Sequence, residues 1–406
     1  MTDPAAGSFF DPAILANPYP LYAKLREDAP VFWFAPAQSW LLTRYADIVS
    51  ILKDTHRFSS NRVQQILDSQ VGEAQREAFS AFVRVASKWL FVLDPPDHTR
   101  IRNLVSRAFT PATVERTRSH AQAIVTELLD KVQPAGRMDV VADLAFPTAA
   151  LVIARMLGAP DEDCPKFLPW STDLGIFIGI APPEADAARR AQRSLEEMVD
   201  YFKHLIALRR SDPRNDLMSK LIAAEDQGNI LDEDELYATC ILLLSAGHET
   251  TQNLIGNGLL LLLQHPEERQ KLVRAPSLIK TAVDEMLRYE PPVQCFGRIA
   301  KEDIVLRGQT IKRGQHVLAS FAAANRDPER FEQPEVFDIT RADNPHLSFG
   351  YGIHFCPGST LGRMEAQIVI TEVLRRMPNI ELESETLDWH AANLMLRGLK
   401  TFPVKF

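Results

Sequence analysis

Cys356 stands in the run Phe349-Gly350-Tyr351-Gly352-Ile353-His354-Phe355-Cys356-Pro357-Gly358, a glycine-punctuated loop leading into a helix-like segment from Thr360 to Arg376. A thiol close to a helix N-terminus is shifted toward thiolate, because the partial positive charge of that end favours the anion. The other cysteines, Cys164, Cys240 and Cys295, show neither pairing nor metal-ligand spacing. One soft thiolate does not make a Cys-rich zinc or iron–sulfur site. It suits a single axial bond to a heme iron, where it pushes electron density toward O–O cleavage. A buried structural cysteine behind a Gly-rich turn fits the same residues. Pro357 follows directly, and proline has no N–H to donate toward the sulfur.

A second group with chemical potential sits in an apolar setting. Asp232 reads as an N-cap, with Glu235 three residues on, for a helix to about Gln264. At 1.5 Å per residue such a helix is about 50 Å long, enough to cross a domain. Ala246-Gly247-His248-Glu249-Thr250-Thr251 falls near its middle, flanked by Leu242–Leu244 and Leu259–Leu263. Glycine in a helix interior costs about 1 kcal/mol, and buried polar side chains cost more unless bonded. Threonine hydroxyls that bond back to the preceding turn bend a helix and open a groove. The block is therefore a structural kink with satisfied polar groups, or a site. Two further helical faces carry paired groups: Glu285 with Arg288, close enough to pair, and His98 with Arg102, one turn apart in a segment opened by Asp94-Pro95-Pro96-Asp97. Taken alone, the second reads as a solvated basic face.

The loop pattern Phe-Gly-x-Gly-x-His-x-Cys-x-Gly, six fixed positions within ten residues, strongly resembles the heme-binding loop of the cytochrome P450 family of heme-thiolate monooxygenases. Ala246-Gly247-His248-Glu249-Thr250-Thr251 is similar to that family's oxygen-binding motif, and Glu285-x-x-Arg288 to its Glu-x-x-Arg signature. The resemblance covers essentially residues 11 to 406. It implies a mainly α fold, a large helical domain with a small β subdomain, within one domain spanning residues 1–406. It implies heme b, iron protoporphyrin IX, held axially by the Cys356 thiolate. Phe349 and Gly247 would border the heme, and His98, Arg102, Arg298 and His354 would bind its propionates, arginine offering a fork that suits carboxylates. Small Ala246 and Gly247 would leave room for dioxygen and substrate. Thr250 and Glu249 would be the catalytic pair, Thr250 bonding the activated dioxygen while Glu249 relays protons through water. Glu285 and Arg288 would form a structural clamp. Its usual third member, an arginine, falls at Val336, which has no side-chain donor, while Pro328-Glu329-Arg330-Phe331 fits the pattern out of register.

The resemblance also implies the reaction. One oxygen atom of dioxygen would enter a hydrophobic small molecule, by hydroxylation or epoxidation, with two electrons from a separate ferredoxin and ferredoxin reductase. No flavin or ferredoxin module appears up to Phe406. An acidic ferredoxin would need basic residues near Cys356, for which Arg363, Arg375 and Arg376 are the candidates. The segments that would line the pocket are apolar and include Leu90, Phe177, Leu243, Ala246, Phe296 and Leu394; each of these residues also fits a plain core position. Gly175 and Gly179 would give the Phe167–Ile180 stretch mobility as a lid. A peroxygenase driven by hydrogen peroxide, and a non-enzymatic heme protein that carries electrons or senses gas, are the competing functions. Glu249 and Thr250 count against the first, and the apolar segments against the second.

The elements that must position these groups follow from pattern. Helical periodicity dominates from about Asp97 to Tyr289, with breaks at Pro111, Pro134, Pro147, Pro160 and Pro182-Pro183. Strand-like pieces lie at 31–43, 304–317 and 394–404, with Arg307-Gly308-Gln309 and Arg313-Gly314-Gln315 as hairpin turns. First and last strands therefore belong to one β-rich module. The chain has 406 residues, 46% hydrophobic content and a net charge of -8, which speaks against nonspecific nucleic-acid binding. Unpaired cysteines imply a reducing compartment, and the absence of Cys-x-x-Cys-His implies a heme without thioether links. Met1–Pro20 shows no apolar leader and Leu236–Leu263 is interrupted by polar residues, so a cytoplasmic protein without a membrane anchor is expected.

Overall fold

The computed structural model describes residues 9–71, 77–180, 186–224, 228–384, 386–390 and 394–406. The chain forms two compact units. One comprises Met1–Ser59, Val125–Ala145 and Thr250–Phe406, and the other Ser60–Ile124 and Phe146–Glu249.

The first unit holds the sheets. Its five-stranded sheet runs Val31–Phe34, Ser39–Leu42, His316–Ser320, Cys295–Ala300, Phe58–Ser59 in spatial order. The N-terminal hairpin sets Trp33 opposite Trp40, with ring centroids 5.2 Å apart, and Ser39–Leu42 then pairs in parallel with His316–Ala319. Val31, Leu42, Ile48, Val317 and Phe321 bury one apolar face of this module. Arg307 (φ 47°) and Gly308 (φ 78°) make the tight turn between Ile304–Leu306 and Gln309–Ile311, as expected for a two-residue hairpin. The turn at Gly314 is not a hairpin: the strand after it pairs with Ser39–Leu42 and Cys295–Ile299 instead. Residues from both ends of the chain lie in this unit, but the first and last strands fall in different sheets. Pro403–Lys405 pairs with Arg137–Asp139 and with Glu381–Leu382.

The second unit is helical, built from Asp97–Ala108, Phe146–Leu157, Cys164–Ile178, Ala187–Ser211 and Leu217–Ile222, with parts of Pro111–Val132 and Glu233–Gln264. Phe82, Phe167, Phe177 and Phe202 are fully buried there, Phe82 and Phe177 meeting edge-on at 4.9 Å. Pro111 opens its helix at the position where a missing N–H costs nothing. Pro147 is not a break: it lies in the first turn of Phe146–Leu157, which a wide helical turn at Val140–Ala145 feeds directly. Pro182-Pro183 lies outside the described residues. The 140–157 stretch is apolar and long enough to cross a membrane by length and composition, and most of it is buried inside the protein.

The long helix runs Glu233–Gln264 without interruption through Ala246–Thr251. Its start is a reciprocal capping box. Asp232 Oδ1 accepts the Glu235 N–H at 2.7 Å, and Glu235 Oε2 accepts the Asp232 N–H at 3.0 Å. Glu235 is further engaged by the Arg100 guanidinium.

Candidate functional site

Residues Gly350 and Gly352 give the cysteine loop its shape. Both take positive φ, 73° and 72°, and a side chain at Gly352 would run into the Leu52 carbonyl at 2.8 Å. The Cys356 N–H donates to the Phe349 carbonyl at 2.9 Å, closing the loop on itself two residues before Gly358 and the helix Ser359–Arg376. A Cβ at Gly358 would touch the Cys356 sulfur at 3.8 Å. Phe349 is fixed from both sides, with the Arg363 guanidinium 4.4 Å over its ring and Phe355 at 6.3 Å. Cys356 is the one cysteine of four that keeps exposed surface. Burial pushes the Cys164 and Cys240 thiols up to about 12, so neither offers a thiolate. Cys295 is buried at the head of a strand, its thiol 3.9 Å from the Leu394 carbonyl.

Beneath this loop lies the clamp. Glu285 and Arg288 are both wholly buried and form a two-pronged pair, Nε to Oε2 at 2.8 Å and Nη2 to Oε1 at 2.7 Å. The arginine's remaining protons go to the carbonyls of Asn325, Pro334 and Val336 at 3.0, 2.7 and 3.0 Å. Val336 therefore does take part, through its backbone. The third side chain, which sequence reasoning missed, is Arg341: its Nε lies 3.2 and 3.3 Å from the two Glu285 oxygens. Arg330 instead pairs with Asp343 at the surface. The available signal for Arg341 was an arginine in the loop between the clamp helix and Phe349, five positions beyond the register counted in the sequence.

In the helical unit, His98 and Arg102 share one face of Asp97–Ala108; His98 is buried and Arg102 half-buried. Glu249 is half-buried, and the loss of surrounding water lifts its carboxyl from the usual 4.5 to about 7. It has no hydrogen-bonding or charged side-chain partner among the described residues, and a Cβ at Gly175 would stand 3.6 Å from its Oε2. Gly175 lies inside the helix that ends at Ile178, with Gly179 as its cap in extended backbone, so the lid glycines are a helix residue and a helix end. Next to Glu249, His248 is buried, donates from Nδ1 to the Leu244 carbonyl (2.9 Å), and is pushed down to about 4 by burial; it stays neutral at physiological pH.

Gly247 has a packing reason. Its missing side chain would lie 2.8 Å from Ile153 Cγ1 on the helix Phe146–Leu157. Gly247→Ala is expected to destabilise the protein by about 1–3 kcal/mol through overpacking. The cost should shrink in the Gly247→Ala/Ile153→Ala pair; additive losses in thermal melts would contradict this. Of the pocket candidates, Leu90 and Phe177 are buried, Phe177 as core, whereas Leu243, Ala246, Phe296 and Leu394 keep open surface. Arg298 is buried in its strand and donates to the Gly297 carbonyl at 2.9 Å, and His354 is half-buried.

The family model described as Cytochrome P450 matches residues 22–275 and 276–386. The chain belongs to the cytochrome P450 family. It is 41% identical over 384 residues to Cytochrome P450 CYP107DY1 of Priestia megaterium, covering 92% of this chain and 91% of that one. Among solved structures it is similar to P450BioI in complex with hexadec-9Z-enoic acid ligated acyl carrier protein, at 40% identity and TM-score 0.90, covering 97% and 99% of the two chains. It is likewise similar to the myxobacterial cytochrome P450 CYP267B1 in complex with myristic acid, at 40% identity and TM-score 0.88, with 98% of each chain covered. The fold is thus that of the family, and the protein is a cytochrome P450 monooxygenase, an oxidoreductase that uses heme with a cysteine thiolate as axial ligand. CYP107DY1 and CYP267B1 are both bacterial proteins.

The chain's own residues fit that group. Among the described residues no three His, Cys, Asp or Glu side chains come together to hold an ion by themselves. One accessible thiol on a glycine-shaped loop suits an iron whose other ligands come from a macrocycle.

Proposed function

We propose that this cytochrome P450 oxidises an apolar small molecule by hydroxylation or epoxidation, with Cys356 as the thiolate that holds heme b. The supporting observation is the loop: Cys356 alone among the cysteines keeps open surface, and its N–H is tied to Phe349 so that the sulfur is presented at a helix start. His98, Arg102, Arg298 and His354 hold the propionates, and Phe349 and Gly247 border the ring. Heme supplies the dioxygen activation; the protein residues supply binding, orientation and protons. Thr250 donates a hydrogen bond at the oxygen side. Glu249, with a carboxyl near 7, is protonated in part at neutral pH and is suited to take a proton from solvent and pass it on. Leu243, Ala246, Phe296 and Leu394 present apolar surface to the substrate.

The fatty-acyl ligands of the two similar solved structures support a substrate with a long apolar chain, free or carried on a protein. Two electrons come from a separate redox protein, a ferredoxin with its reductase, in the cytoplasm. The arginines near Cys356 in sequence are each engaged, Arg363 with Asp284, Arg375 with Glu372 and Arg376 with Asp130. Any cationic docking surface must therefore draw on other residues as well.

The test compares Cys356→Ser with Cys295→Ser in heme-loaded protein. Cys356→Ser is expected to lose the long-wavelength band of the reduced carbonyl complex that marks thiolate ligation, and Cys295→Ser to keep it. The opposite result would move the ligand to Cys295.

A further inference from the structure

The turn Leu394–Gly398 is held from two directions. On one side, the Gln294 N–H donates to the Met395 carbonyl and the Arg397 N–H to the Pro292 carbonyl, both at 2.8 Å, with Val293 bridging Leu396. On the other side stands the long helix. Asn257, 1% exposed, donates from Nδ2 to the Arg397 carbonyl at 3.0 Å. One turn earlier, the Asn253 carboxamide fills the space that a side chain at Gly398 would need. Gly398 is therefore required by close approach. Thr250, Asn253 and Asn257 follow one another at i, i+3 and i+7, one stripe of the helix. Asn257 thus lies about 10 Å along the axis from Thr250.

We infer that Asn257, with Asn253 fitted against Gly398, is a positioning residue for substrate. It indexes the Leu394–Met395 turn to the helix that carries Thr250, and so sets which part of an apolar substrate faces the oxidising side. The inference rests on the proposal that Leu394 faces substrate. A carboxamide serves here because a rigid, buried donor fixes a backbone carbonyl in one place, where a long flexible side chain would not. Losing such a bond frees the turn without touching Thr250.

The test uses heme-loaded protein, wild type and Asn257→Leu, Gly398→Ala and Asn253→Ala/Gly398→Ala. Amide hydrogen exchange is read on the peptide covering 394–398, and spectral titration with myristic acid and with testosterone gives the ratio of the two dissociation constants. Expected are about tenfold faster exchange confined to that peptide in the two single variants, a changed ratio, and a return toward wild type in the Asn253→Ala/Gly398→Ala protein. Unchanged exchange, exchange raised evenly along the chain, or an unchanged ratio despite faster exchange would each overturn the inference. Leu394→Phe separates the two ideas. If it leaves the ratio alone, or if wild type takes up neither probe, the substrate reading fails, while exchange still decides whether Asn257 anchors the turn.

Discussion

Replacing Glu285 by leucine is expected to cost about 3–5 kcal/mol, the loss seen when one partner of a buried ion pair is removed. Glu285 accepts from Arg288, from the Asp338 N–H at 3.0 Å, from Arg341 and from Asn344 at 3.2 Å. Leucine would leave a guanidinium with no exposed side-chain surface facing three carbonyls and no anion. Arg341→Ala should cost less, about 1–2 kcal/mol, since Arg341 keeps some solvent contact and Glu285 retains Arg288. Val336→Ala, which keeps the carbonyl that Arg288 uses, should fall within about 0.5 kcal/mol of wild type. Urea unfolding of the three variants gives the order directly. Equal losses in Val336→Ala and Arg341→Ala would mean that the clamp has been apportioned wrongly.

Glu249→Gln is expected to make the protein more stable and less active at the same time. A carboxyl whose folded value rises from 4.5 to about 7 prefers its neutral form in the folded state. Its stabilising contribution is complete below pH 4.5 and is lost as pH rises through 7. Above pH 7 the folded state carries a desolvated anion at a cost of about 1–3 kcal/mol, the upper figure following from the shift and the lower allowing for water around a half-buried group. Glutamine removes that cost. The variant should match wild type near pH 4.5 and gain on it progressively to pH 8, while substrate turnover falls by ~10²-fold for lack of a titratable relay. A stability difference independent of pH between 5 and 8 would place Glu249 in contact with solvent and remove the case for its raised value.

The parts of this molecule legible in the sequence were those fixed by local rules. Asp232 and Glu235 announced a helix start, Arg307-Gly308 a hairpin, and the glycines before Cys356 a loop; each works through neighbours a few residues away. Arg341 and Asn257 were not legible, because their roles come from chain segments brought together over long separations. Arg341 meets Glu285 across 56 positions and Asn257 meets Arg397 across 140. Pro147 misled for a related reason: its local signal is a stop, and only the preceding helical turn makes it a first-turn residue. Gly247, read from its motif as room for dioxygen and substrate, also packs against Ile153, which only the fold reveals.

The pairing of Pro403–Lys405 with Arg137–Asp139 bears on how the chain is made. The Phe402 N–H reaches Asp139 across 263 positions, at 3.2 Å. During synthesis the strand at 137–139 must wait, its edge unpaired, until residues beyond 400 leave the ribosome. Contacts of such separation close slowly, and an unpaired edge invites another chain. Yield in an expression host should therefore depend on translation speed and chaperone supply more than the final stability of the enzyme would suggest.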